Sequence, residues 1–130
     1  MTIEQDFQKI LDKYLEAERL QRRLMDIDQW RIVAEHSGLP VRKFLDTVSV
    51  LLTRKFIAGE LPFEFCRWII TDLEKAATRG ILDKWLDEFG IFDSVYVAFN
   101  AEDFFALTAD PIEKYVRPML VEILEEQAKQ

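Results

Sequence analysis

The stretch from Thr53 to Glu74, TRKFIAGELPFEFCRWIITDLE, limits this chain to a narrow set of folds. An apolar-periodic segment arrives at Phe56 and Ile57, and Gly59 is free to take the left-handed conformation that closes a helix. Leu61 supplies an apolar residue just past that cap, and Pro62 pre-sets φ for the first turn of a second helix. Glu64 falls in that turn, where a carboxylate suits exposed backbone N–H groups. The stretch predicts a short-looped helical hairpin with Phe, Cys, Trp and Ile on its second arm.

The remaining segments show the same 3.6-residue period. Ile3, Phe7, Ile10, Tyr14 and Ala17 predict a helix from Thr2 to about Arg23, with Thr2 and Gln5 as a capping box. Asp26 and Asp28 are candidate caps for a short helix carrying Trp30, Val33 and Ala34, closed by Ser37 and Gly38. Pro40 opens a third helix with Val41, Phe44, Leu45, Val48, Leu51 and Leu52 on one face, leading into the Gly59 turn. The next runs from about Pro62 to Arg79 and ends at Gly80; a short one spans Ile81 to Phe89. Val95 and Val97 favour a strand over 91–100, whereas Phe92, Val95, Tyr96 and Phe99 have helical spacing. A lone strand would lack a pairing partner, so helix is the expectation. Asp110 and Pro111 start the last helix, which Pro118 should kink. The whole pattern predicts an all-α fold, a single compact bundle of about six helices over residues 1–130. Phe44, Leu45, Val48, Leu52, Ile69, Ile70, Leu73, Trp85, Tyr115, Leu120 and Ile123 are its expected core.

Charge narrows the function. The net charge is −7, yet residues 1–82 carry thirteen Lys or Arg against thirteen Asp or Glu. The deficit lies in residues 83–130, where four basic residues face eleven acidic ones. Such asymmetry suits a basic protein partner and disfavours nucleic acid; the plainer reading is a solvated face that aids solubility. No apolar run is long enough to span a membrane. The acidic, amphipathic N-terminus is unlike a signal peptide, and a single cysteine, Cys66, cannot form an internal disulfide. Those features predict a cytoplasmic protein.

Catalytic patterns are missing from the sequence. His36 is the only histidine, at an expected helix C-terminus, where capping is its natural role. There is no glycine-rich phosphate loop, no nucleophile motif and no Glu-x-x-His pair. The expectation is a non-enzymatic protein with no cofactor and no metal, although carboxylates from several helices could still converge in the fold.

Two features stand out. Val33 to Phe44, VAEHSGLPVRKF, fits a helix-turn-helix, with Gly38 in the turn and Arg31, Arg42 and Lys43 available to phosphate or bases. On that reading residues 28–50 would contact DNA; the plainer one is an ordinary helical corner. The second feature is the phrase FIAGELPFEF at 56–65, followed by a Trp-bearing helix, ILDKWLDEF at 81–89 and an aromatic–acidic run. Over roughly residues 50–125 this order resembles the colicin D-like immunity proteins. The resemblance implies a small cytoplasmic protein that blocks a tRNA-cleaving toxin domain through acidic, substrate-mimicking residues. The leading expectation is therefore an inhibitor that binds a basic nuclease toxin, with Asp93, Tyr96, Glu102, Asp103, Asp110 and Glu113 on its binding surface. A DNA-binding regulator and a helical adaptor are the alternatives.

Overall fold

The computed structural model describes residues 3–19, 27–78, 90–101 and 110–129. Among them the structure is all-α, with six α-helices and no strand: α1 (Ile3–Arg19), α2 (Ile27–Ser37), α3 (Val41–Ile57), α4 (Phe63–Ala76), α5 (Ile91–Asn100) and α6 (Arg117–Ala128). Thr2, Arg22, Arg23, Trp85, the expected helix at 81–89 and the residues 102–109 lie outside the described set. So do the Asp26 cap and the Gly80 stop.

The hairpin between α3 and α4 forms for the reasons its sequence suggests. Gly59 takes φ +78, and its N–H donates to the Phe56 carbonyl at 3.0 Å while the Glu60 N–H donates to Lys55 at 2.9 Å. These are the two bonds of a Schellman cap. Pro62 is extended, at ψ 157, so α4 begins one residue later than expected, at Phe63. Gly38 ends α2 in the same left-handed way, at φ +70.

Helix α3 is the axis of the bundle: α2, α4, α5 and α6 all pack against it. Phe44, Leu45, Val48 and Leu52 are buried along it, facing Ile69, Ile70 and Leu73 of α4 and Phe92, Val95 and Phe99 of α5. Two polar residues, Ser49 and Thr53, are buried there too. Their hydroxyls donate to the Leu45 and Ser49 carbonyls at 2.8 Å each, so neither is left unsatisfied. Phe56, Phe63 and Phe99 meet at 5.6–6.0 Å between ring centroids, which closes the core where α3, α4 and α5 converge.

Helix α1 joins by large side chains and two polar ties. Tyr14 is fully buried and lies edge-on to Trp68 at 4.8 Å and to Phe65 at 6.2 Å. Its hydroxyl donates to Asp72 at 2.8 Å. Burial first, and then the Asp72 charge, push the phenol far above the ordinary tyrosine range, so it stays protonated. The Trp30 ring packs on Tyr14 at 6.5 Å; its indole N–H is buried without meeting hydrogen-bond geometry to any acceptor. His36 lies in the last turn of α2, as expected. Its Nδ1 bonds Asp6 of α1 at 2.9 Å, and that carboxylate is buried.

The last helix departs most from expectation. Pro118 has no N–H to offer the carbonyl of Lys114. A π-turn over Ile112–Val116 precedes it, in which the Arg117 N–H reaches back to Ile112. Val116 and Leu120 are buried, but Tyr115 and Ile123, expected in the core, are only half-buried. The segment lies on the outside of α3 and α5, which cover one side of it.

Three measurements check this packing. Ile70 is fully buried, so Ile70→Ala should lower unfolding stability by about 2–5 kcal/mol in a denaturant titration; a change below about 0.5 kcal/mol would place it outside the core. Burial also pushes the Cys66 thiol up to about 12. The folded state then holds a proton that the unfolded chain has already released, so stability is full below the unfolded thiol's pKa and falls as pH rises from about 9 towards 12. Cys66→Ala should flatten that part of the pH–stability curve, and the native thiol should resist alkylation at pH 8.

Candidate functional site

Helix α5 begins inside the bundle, and its first N–H groups need acceptors there. Gly90 holds the N-cap position with extended backbone. The Gly90 N–H donates to the Asp93 carboxylate at 2.8 Å, and the Phe92 N–H donates to Asp46 of α3 at 2.9 Å. Two carboxylates thus meet the positive end of the helix. Arg42, one turn before Asp46, pairs with Asp93 and lies 3.8 Å from Asp46 through Nε. One guanidinium therefore offsets two carboxylates at the α3–α5 contact. Its Nη1 is buried without a hydrogen-bond partner. A Cβ on Gly90 would fall on the Arg42 guanidinium, so a larger residue there needs that side chain to shift.

This junction draws from both candidate surfaces. Arg42 belongs to the DNA-contacting set and Asp93 to the acidic set, and the structure joins them to each other. The side chains of both are about three-quarters buried, at 23% and 27% exposure. Neither is presented to a partner as a free charge. Arg31 and Lys43 are exposed, which leaves the α2–α3 corner without its central cation.

The other acidic candidates are spread along the chain. Tyr96 is half-buried on α5; burial and then the nearby Glu74 carboxylate raise its phenol above the usual range. Asp110 is exposed, with φ 53, a left-handed conformation that a short polar side chain tolerates. Glu113 is exposed but committed: its carboxylate accepts from Arg117 Nε at 2.8 Å and Nη2 at 3.2 Å. Arg117 also stacks on Phe56 at 4.8 Å and donates to the Ile57 carbonyl at 3.4 Å, so it ties α6 to the C-terminal end of α3. Glu102 and Asp103 lie outside the described residues.

The sequence reading did not single out Glu122, Glu125 and Glu126 as a group. All three are exposed on α6, and spacings of three and four residues place them on one face. The ion pairs of this segment join Glu113 to Arg117 and Glu126 to Lys129, which leaves Glu122 and Glu125 unclaimed by them. The i, i+3, i+4 spacing of these glutamates was the available signal.

Among the described residues no three His, Cys, Asp or Glu side chains form a group that could hold a metal ion. No helix among them is long and apolar enough to cross a membrane. Comparison with protein-family models, curated proteins and solved structures finds no match to this chain.

Asp46 gives the junction a direct test. Asp46→Ala removes the acceptor for the Phe92 N–H and one of Arg42's carboxylates, and should cost about 1–2 kcal/mol, as the loss of a helix cap does. Asp46→Asn keeps an acceptor and should cost less. Equal stability for all three proteins would remove Asp46 from the list of determinants of α5.

Proposed function

We propose that the protein is a non-enzymatic binding protein, an immunity-type inhibitor that blocks a basic nuclease toxin domain in the cytoplasm. The observation that supports this reading is the set of exposed carboxylates in the acidic third, beside a helix-turn-helix alternative that keeps Arg31 and Lys43 exposed but has Arg42 paired within the fold. Arg42, the central cation of the helix-turn-helix alternative, is held inside the bundle by Asp93 and Asp46. Carboxylates in the acidic third remain exposed at Asp110, Glu122 and Glu125. A nuclease groove must be positive to hold phosphates, so exposed carboxylates on a rigid helical body can occupy it. The order of elements after Phe56, similar to colicin D-like immunity proteins, points the same way.

The proposed surface is the acidic third without Asp93: Asp110, the Glu122–Glu126 face of α6, and Glu102 and Asp103 by sequence. Tyr96 is its candidate aromatic anchor. Glu113 contributes less free charge, because Arg117 already neutralises it.

The test uses the protein encoded by the neighbouring gene, since an inhibitor gene normally adjoins that of its toxin. The purified chain should bind it one to one and stop its RNA cleavage, with an association rate that falls steeply as salt is raised. Charge reversal in Glu122→Lys/Glu125→Lys, or in Glu102→Lys/Asp103→Lys, should slow association by about tenfold or more while leaving the helical circular dichroism unchanged. Unaltered binding by both double variants, with loss on Arg31→Glu/Lys43→Glu, would overturn the acidic reading and favour residues 28–50.

A further inference from the structure

We draw no further inference here: the strongest candidate, the outer side of α5 where Val97 is 46% exposed and Tyr96 lies near the Glu74 carboxylate, is a small apolar patch, and nothing in the structure shows what covers it.

Discussion

A helix that starts against the side of another helix must find acceptors for its first backbone N–H groups, because water cannot reach them freely. The contact between α3 and α5 is built around that requirement. Asp46 and Asp93 supply the acceptors, and Arg42 supplies the positive charge that lets two carboxylates share a half-buried place. The α5 side chains Phe92, Val95 and Phe99 can then enter the core that α3 and α4 line. At the other end of α3, Arg117 meets the Ile57 carbonyl and the face of Phe56. The central helix is thus held at its first turn by its own arginine, and at its last by an arginine of the final segment.

Those two arginines also bear on function. Both are spent inside the molecule, one on α5 and one on the carboxyl end of α3. Exposed carboxylates remain at Asp110 and, on the last helical segment, at Glu122 and Glu125. Polar ties elsewhere, His36 with Asp6 and Tyr14 with Asp72, attach α1 to its neighbours and account for the sole histidine and the buried tyrosine.

Local chemistry was legible in the sequence, and long-range pairing was not. Gly59 and Gly38 announce their turns because only a left-handed residue closes a helix in that way. The spacing of Phe92, Val95 and Phe99 outweighs the strand propensity of the valines, since burial of a face decides more than intrinsic preference. Arg42 and Asp93 are fifty-one positions apart, and no periodic pattern connects them. Each was therefore assigned to a separate surface. Pro118 signalled a disturbance, but not its form, a π-turn just before it. Helical-wheel reasoning across that turn misplaces Tyr115 and Ile123, because one i+5 step rotates everything before it relative to everything after. The acidic third was legible as charge, while its division into structural and exposed carboxylates required the fold.

Gly90 has a backbone angle of φ −128, which any amino acid adopts with ease. Its restriction comes wholly from a guanidinium that starts on another helix. Tolerance at position 90 therefore depends on what stands at position 42. A lineage that first exchanged Arg42 for a shorter residue would open room for a side chain at 90. A lineage that changed Gly90 first would have to displace the guanidinium that pairs with Asp93 and Asp46. The order of substitutions matters here, even though neither residue alone is remarkable in composition or conformation.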